Sequence, residues 1–464
     1  MIDLPIEFTR RMQALLGDYD EFLASYDKQA VRAIRLNKLK YTDEKLKTAF
    51  GDSITPIDGI DGGYIYRGDD KIGNHPLHHA GAFYVQEPGA MAVVACAPIR
   101  RGMKILDLCA SPGGKTTHAA SELMDTGIVV SNEYVKNRCT TLLSNIERMG
   151  IKNSVVTSCD TKYFKETFFG VFDLVIADAP CSGEGMFRKS TDALEMWSEE
   201  NVKMCAERQR EILENGAKCV KDGGFLLYST CTFSPEENEL TVNAFLTDHP
   251  EFSLARVPAA IEKISRDGVR FEGVDCENIE FTRRFYPHVF PCEGQFAALM
   301  HKIGDGDTEY INPRNICDER SPENLKILPA DKKVIDEFLR TTIGESAKDL
   351  KYVMRRDGIY VVSDELPMLK NNVFSCGVKL GELQKGQIRP HHRFFMAYGD
   401  RFLQKIELDI SDSRVEKYLR GEEIAVTESV KGYCAVLCDG AVMGGAKVSG
   451  GVAKNHYPKG LRKT

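Results

Sequence analysis

Two cysteines sit where a sulfur atom could act on a substrate. The segments DAPCSGEGMFRK, Asp178 to Lys189, and YSTCTFSPEENE, Tyr228 to Glu239, each follow an apolar run and place a cysteine just past it, Cys181 and Cys231. A single buried cysteine is ordinarily a small hydrophobe. Two thiols flanking one pocket offer covalent catalysis, with the thiolate as the reacting form. Ser234-Pro235-Glu236-Glu237 carries a helix-capping residue, a proline for the first helical position and a glutamate three after the cap. That pattern predicts a helix from Pro235 and a positioned, partly exposed Cys231 in the short loop before it. Asp178 adds a carboxylate at the start of the first motif.

A second group of residues reads as a ligand cradle. In DLCASPGGKT, Asp107 to Thr116, a strand gives way to a turn with Pro112, Gly113 and Gly114 and then to a helix. Glycines let a ligand approach the backbone, and a helix N-terminus offers free N–H groups to an anion. The spacing is neither GxGxxG nor GxxxxGK[ST], which disfavours a dinucleotide and excludes a P-loop. The anion that fits is the methionine carboxylate of S-adenosylmethionine (SAM). Glu133 ends the next strand, where a carboxylate can accept both ribose hydroxyls, and Asp160 ends the third, where it can meet an adenine edge. Each acid alone reads equally well as a helix cap or a solvated loop residue; three consecutive strand ends together favour an adenosyl ligand. With SAM as methyl donor, paired thiols suit one poor nucleophile in particular, carbon 5 of cytosine. Addition of a thiolate to C6 pushes electrons onto C5, Asp178 can bond the N3/N4 edge, and a second thiol can assist release. Such a base must be single-stranded or flipped out.

The elements needed to hold these residues are present. KILDLCA, GIVVSNE, SVVTSCD, FDLVIADAP and GGFLLYSTCTF read as apolar strands, alternating with helices such as SPGGKTTHAASELM and KNRCTTLLSNIERMG. That alternation predicts an α/β domain over residues 76–302, with a parallel sheet covered on both faces. The polar residues then fall beyond the carboxyl ends of the strands, where such sheets bind ligands. Residues 1–75 open with an amphipathic helical pattern, Phe8, Met12, Leu15, Leu16, Phe22 and Leu23, followed by a strand-like AVRAIRLN. Residues 303–380 read as a separate small module, opened by GDGDTEYINPRNICDERSPEN. Residues 381–464 read as a compact β-rich domain with strands in RFFMAYGDRF, EIAVTE and GYCAVLCDGAVMGGAKV.

The bulk numbers narrow the class. The chain has 464 residues and a net charge of −7, so support for nucleic-acid binding must come from local patches. Lys28 to Lys40 carries five basic residues and no acidic one, among them Arg32 and Arg35; Gly440 to Thr464 carries five more, among them Lys447, Lys454, Lys459 and Arg462. Arg389 and Arg393 flank two histidines, and Tyr433 and Tyr457 lie close by in sequence. These eight basic residues are the candidate RNA contacts. The 14 cysteines show no CxxC pair, and the nearest spacing, Cys434 and Cys438, reads as strand. No metal is expected. Many free thiols, no signal-peptide pattern and no long apolar run predict a cytoplasmic protein without a membrane segment.

Taken together, LDLCASPGGKTTHAA, SNEY, ADAPCSGEGMFRK, LLYSTCTFSPEENE, RRFYPHVFPCEGQFAALMHK and the tail AKNHYPKGLR resemble the RsmF-like branch of the Sun-type RNA (cytosine-5-)-methyltransferase family. The resemblance implies a Rossmann-like SAM-dependent methyltransferase core with a mostly parallel seven-stranded sheet. It also implies an N-terminal RNA-binding extension, an α+β domain and a PUA-like RNA-binding domain. It implies Cys231 as nucleophile, Cys181 for product release, Asp178 on the cytosine and Lys115 orienting the catalytic residues. SAM contacts are implied at Cys109, Ala110, Ser111, Pro112, Gly113, Gly114, Lys115, Glu133, Asp160 and Asp178. The expected partner is ribosomal RNA or the small ribosomal subunit, and the expected state a monomer. A ribosome-assembly factor with secondary catalysis, a transfer-RNA methyltransferase, or a methyltransferase for protein or small molecules are the alternatives. The last of these needs neither paired thiols nor basic appended domains.

Overall fold

Near-continuous apolar strands should be buried on both faces, and they are. The computed structural model describes residues 3–304, 324–363, 369, 372–427 and 429–463. Its centre is a ten-stranded sheet. The strands that hold the site are β1 (Lys104–Asp107), β2 (Ile128–Asn132), β3 (Ser154–Thr157), β4 (Phe172–Asp178), β5 (Val220–Thr230), β6 (Arg283–Phe285), β7 (Gln295–Lys302) and β8 (Val373–Cys376). Their order across the sheet is β6-β7-β5-β4-β1-β2-β3-β8. β5, β4, β1, β2 and β3 run parallel, and β7 runs antiparallel to β5. Strands β1 to β7 form the mostly parallel sheet that the sequence predicts. The further three are β8 and the short strands Phe252–Leu254 and Arg266–Asp267, too brief to show a pattern.

Successive residues of each strand feed opposite cores. Ile105, Val129, Ile176 and Leu227 pack with Ala119, Leu123, Leu142 and Ile146 of helices α1 (Gly114–Leu123) and α2 (Lys136–Arg148). Leu106, Val130, Val175 and Leu226 pack with Ile212, Leu213, Val242 and Phe245 of helices α3 (Glu199–Ala217) and α4 (Glu239–Asp248). From β1 the chain builds β2 and β3 to one side, then crosses to build β4 and β5 on the other. That reversal opens a crevice beyond the carboxyl ends of β1, β2, β4 and β5.

Three appended parts surround this core. Helices Ile6–Leu15 and Tyr19–Ala24 bury Phe8, Met12 and Phe22 against Phe187, Trp197, Phe233 and Tyr286, directly behind the two cysteine loops. An antiparallel sheet of Ile54–Pro56, Gly63–Tyr66, Ala33–Leu36 and Phe83–Val85 follows. A four-stranded sheet (Lys351–Arg355, Gly358–Val362, Val378–Gln384, Gln387–Pro390) and a five-stranded one (Ile424–Ala425 and strands within 405–455) complete the chain. The sheets ignore three of the predicted boundaries. Phe83–Val85 lies past residue 75, β8 from the 303–380 stretch pairs with β3, and Val378–Gln384 spans residue 380. Residues 305–323, predicted to open the third module, lie outside the described residues.

RFFMAYGDRF is not a strand. His392–Tyr398 forms a helix, capped by the His391 ring, which accepts the Arg393 N–H. Every residue of that helix is buried, so no amphipathic period marks it and its short apolar run mimics a strand. Cys434 and Cys438 are buried in the single strand Gly432–Cys438. The N-terminal sheet and the C-terminal sheet share a core in which Ile34, Leu36 and Leu77 meet Tyr418, Val436 and Met443. Lys40 bridges the same two sheets, its Nζ donating to the Val442 carbonyl at 2.9 Å. Among the described residues no helix is long and apolar enough to cross a membrane, and no group of three His, Cys, Asp or Glu side chains could hold a metal.

Candidate active site

The parallel pairing of β4 and β5 sets Asp178 opposite Ser229, and each chain then turns into its cysteine loop. The two sulfurs meet: Cys181 Sγ lies 3.2 Å from Cys231 Sγ. The Cys231 N–H also donates to Cys181 Sγ at 3.3 Å. Asp178 stands at the base of the pair, accepting from Ser229 Oγ at 2.7 Å through one oxygen and binding Lys115 Nζ at 2.7 Å through the other. Lys115 is buried in the first turn of α1. Burial by itself would lower its pKa, but the charge and hydrogen bond of Asp178, with a further contribution from Cys231, hold it above the usual lysine range. The hydrogen bond to Cys231, reinforced by burial, pushes the Cys181 thiol well above its ordinary value. The pair therefore favours a proton on Cys181 and places the fixed cation of Lys115 beside Cys231.

The predicted cap at Ser234 does not form. Pro235–Asn238 is a turn and α4 begins at Glu239. Ser234 Oγ donates instead to Glu184 Oε1 at 2.6 Å, and the Glu237 carboxylate reaches back to Ser182, whose N–H donates to it at 3.0 Å. Two buried carboxylates thus take the capping residues away from the helix. Glu184 also accepts from the Phe233 N–H at 2.8 Å and from Trp197 Nε1 at 2.9 Å. Gly185 lies so close to this seam that a Cβ there would sit 2.6 Å from the Gly294 carbonyl oxygen.

Beside the sulfurs, β1 runs into the glycine turn. Gly113 has φ of 110°, a value that side-chain-bearing residues avoid, and α1 starts at the next residue. Arg138 and Asn145 of α2 hold the turn by donating to the carbonyls of Ser111 (3.0 Å) and Pro112 (2.8 Å). Asn132 ties the strand ends together, donating to the carbonyls of Leu108 at 3.2 Å and Cys159 at 3.0 Å. Cys109 and Ala110 continue β1 into the turn, and burial pushes the Cys109 thiol well above its ordinary value. Glu133 turns inward, accepting the Val135 N–H at 2.8 Å, with Arg138 at 3.4 Å. Asp160 is exposed at the next strand end and accepts the Lys162 N–H at 2.9 Å. Asp107 accepts the Thr116 hydroxyl at 2.6 Å through Oδ2, while its buried Oδ1 has no partner among the described residues. A free helix N-terminus, an orphaned buried carboxylate oxygen and an inward acid at the second strand end fit the amino-acid end and ribose of SAM.

Sequence reasoning missed Asn132, Ser182, Glu184 and Gln209, and read Glu237 as part of a helix cap where it anchors the Cys181 loop. Glu, Gln and Asn are surface residues by default, so nothing in their spacing reveals that they are buried.

The predicted RNA contacts divide. Arg35 and Arg393 are each only 1% exposed and are structural. Arg35 donates to Thr117 Oγ1 at 2.9 Å, and Arg393 to Ser375 Oγ at 2.7 Å and Ser154 Oγ at 3.3 Å. Both arginines sit on all-buried segments whose charge made them look external. Arg32 is exposed but turned onto the Gly68 and Asp70 carbonyls. Arg462 is half-buried and donates to the Tyr457 carbonyl at 3.4 Å. Lys459 is exposed. Lys447 and Lys454 are cross-strand partners on one exposed face. The Lys447 ammonium lies 5.0 Å from the Tyr433 ring, and exposed Arg389 acts electrostatically on that tyrosine.

Comparison with known proteins agrees with this arrangement. The family model for 16S rRNA methyltransferase RsmB/F matches residues 94–301. Models for the N-terminal domain of 16S rRNA methyltransferase RsmF and for the methyltransferase RsmF PUA domain match residues 4–88 and 405–463. Ribosomal RNA small subunit methyltransferase F of Shewanella loihica is 32% identical, over 99% of this chain and 96% of that protein. The protein of the same name from Vibrio vulnificus is 30% identical, over 99% and 97%. Among solved structures, a methyltransferase homolog from Pyrococcus horikoshii is 26% identical with a TM-score of 0.56, covering 65% of this chain and 96% of that one. The likeness to NSun6 of Pyrococcus horikoshii, at 20% identity and a TM-score of 0.55, is one of fold. With 30–32% identity over 99% of the chain and all three models matched in order, the chain belongs to the RsmF family of 16S rRNA methyltransferases.

Proposed function

We propose that this protein methylates carbon 5 of a cytosine in small-subunit ribosomal RNA, with Cys231 as the nucleophile. The observation that carries the reading is the contact of the Cys181 and Cys231 sulfurs, 3.2 Å apart, beside the Lys115–Asp178 pair. SAM, when bound, supplies the methyl group as a sulfonium electrophile. Ala110 to Gly114 and the α1 N-terminus would hold its amino-acid end, Glu133 its ribose and Asp160 its adenine edge.

The chain's own residues do the rest. Lys115 places a positive charge where the nucleophilic sulfur carries its negative one. Asp178, fixed by Lys115 and Ser229, keeps free lone pairs to accept the cytosine N4–H and align the ring. Attack of Cys231 sulfur on C6 forms the S–C6 bond and moves the ring electrons toward C5. That step removes the partner whose hydrogen bond favoured the protonated form of Cys181. Cys181 can then give up its proton to solvent, the one proton the overall reaction releases, and act as a base. After C5 carries its methyl group, Cys181 takes the C5 proton, the C5=C6 bond re-forms and the S–C6 bond breaks. Cys231 leaves as thiolate and the starting pair is restored.

The PUA-like domain supports RNA binding through the face that carries Tyr433, Lys447 and Lys454, with Arg389 beside it. The experiment is methyl transfer from labelled SAM to 16S rRNA, free and assembled into the small subunit, with bisulfite sequencing of the product. One or more new 5-methylcytosines support the reading; label that enters RNA but leaves every cytosine convertible overturns it.

A further inference from the structure

The two cysteine loops are fixed by different carboxylates. Glu184 holds the Cys231 loop, accepting from the Phe233 N–H and the Ser234 hydroxyl. The Gly185 N–H donates to the Cys231 carbonyl at 2.8 Å. Glu237 holds the Cys181 loop from both sides. Ser182, the residue after Cys181, donates its N–H (3.0 Å) and its hydroxyl to the Glu237 carboxylate. Pro180, the residue before Cys181, offers its carbonyl to Gln209 Nε2 at 3.0 Å, and the same nitrogen donates to Glu237 Oε2 at 2.8 Å. The single Tyr228 hydroxyl proton is shared between the Glu237 main-chain carbonyl (2.5 Å) and Gln209 Oε1 (2.9 Å), closing the ring of bonds. The Ser182 hydroxyl also meets Thr232 Oγ1 at 2.8 Å, next to Cys231. Glu237, Gln209 and Tyr228 are fully buried. A buried carboxylate is expensive unless its lone pairs are filled; here Ser182 and Gln209 fill them, and they oppose the desolvation that raises the Glu237 pKa to about 7.

We propose that Glu237 is a positioning residue that sets Cys181 against Cys231, so that product release depends on it more strongly than nucleophilic attack does. The inference rests on the roles given above to the two cysteines. Attack needs only Cys231, whose loop has its own anchors in Glu184 and Gly185. Release needs the Cys181 sulfur at the methylated carbon, and a shift of about 1 Å in a reacting group can cost on the order of a hundredfold. Without the carboxylate, the Ser182 N–H and the Gln209 amide lose a shared acceptor, which leaves Ser182 held through Thr232 alone and loosens the Gln209 contact to Pro180.

The test compares E237Q, S182A, C181A and the unaltered protein, each incubated with SAM and 16S rRNA, then resolved on a denaturing gel and assayed for turnover. S182A removes the hydroxyl contacts to Glu237 and Thr232 with little risk to folding. The expected result is that both E237Q and S182A lower kcat, E237Q by roughly tenfold. Both should accumulate the covalent RNA–protein adduct, with SAM affinity and kcat/KM for RNA unchanged because KM for RNA falls with kcat, and E237D should recover part of the turnover. Adduct formation falling in parallel with turnover, or normal turnover in both variants, would overturn the inference. C181A separates the two levels. If C181A traps adduct and neither of the others does, only the role of Glu237 fails. If C181A traps none, the assignment of the cysteines fails first.

Discussion

At the scale of single residues, the site is an argument about where one proton and one positive charge reside. The hydrogen bond with Cys231 and burial both raise the Cys181 thiol well above its ordinary value, which favours a proton there. Lys115 stays charged because Asp178 outweighs its desolvation. Cys231→Ala should therefore abolish methyl transfer while leaving SAM affinity within about twofold of normal, measured by calorimetry, since no SAM contact is lost. A second residue-scale prediction concerns Asp107. Burial pushes it up to about 7, against the Thr116 hydrogen bond, with Asp178 adding to the rise and Lys115 opposing it. The native protein then holds this proton more tightly than the unfolded chain does. Stability from this group is full below about pH 4 and is lost as pH rises through about 7, by up to ~4 kcal/mol. Asp107→Asn keeps an acceptor for Thr116 and removes the titration. Its urea midpoint should gain on that of the unaltered protein between about pH 5 and pH 8, and a constant difference across that range would contradict the assignment.

At the scale of elements, the cysteine loops depend on packing from outside the catalytic sheet. Phe22 is fully buried and meets Phe233 edge-on at 5.3 Å, while Phe8 meets Phe187 at 5.0 Å. Phe22→Ala should cost about 3–5 kcal/mol in chemical denaturation and lower kcat more than it alters KM for SAM. Undiminished kcat in a folded variant would show that the N-terminal helices are only a cover. The strands and helices that carry the site were legible because a parallel sheet buried on both faces writes its strands as unbroken apolar runs, and the glycine turn marks where β1 ends. The hinge between Cys231 and α4 was not. Ser234, Pro235 and Glu237 spell a helix start, but burial turned Ser234 to Glu184 and Glu237 to Ser182, so tertiary hydrogen bonds displaced the local cap. The helix His392–Tyr398 was hidden for the opposite reason, since burial on all sides leaves no period to read.

At the scale of the whole molecule, the two ends of the chain pack together. The N-terminal sheet and the C-terminal sheet share one core, so deleting the tail would expose apolar surface rather than report on RNA binding alone. Point substitutions on the exposed face are the better probe. The paired Lys447→Ala and Lys454→Ala changes should weaken RNA binding and reduce the slope of log K against log salt by about 1.5, leaving SAM binding intact. An unchanged slope would mark the face as merely solubilising. Arg35→Ala and Arg393→Ala should instead lower thermal stability, because each removes a fully buried side chain together with the buried hydrogen bonds it donates.

The most direct measurement is the covalent bond itself, read as a denaturation-resistant RNA–protein band whose cross-linked cysteine is located by mass spectrometry. The band should form with Cys181→Ala, carry its ribonucleotide on Cys231, and vanish when both cysteines are replaced. A band that forms with Cys231→Ala, bound through Cys181, would reverse the roles on which the mechanism stands.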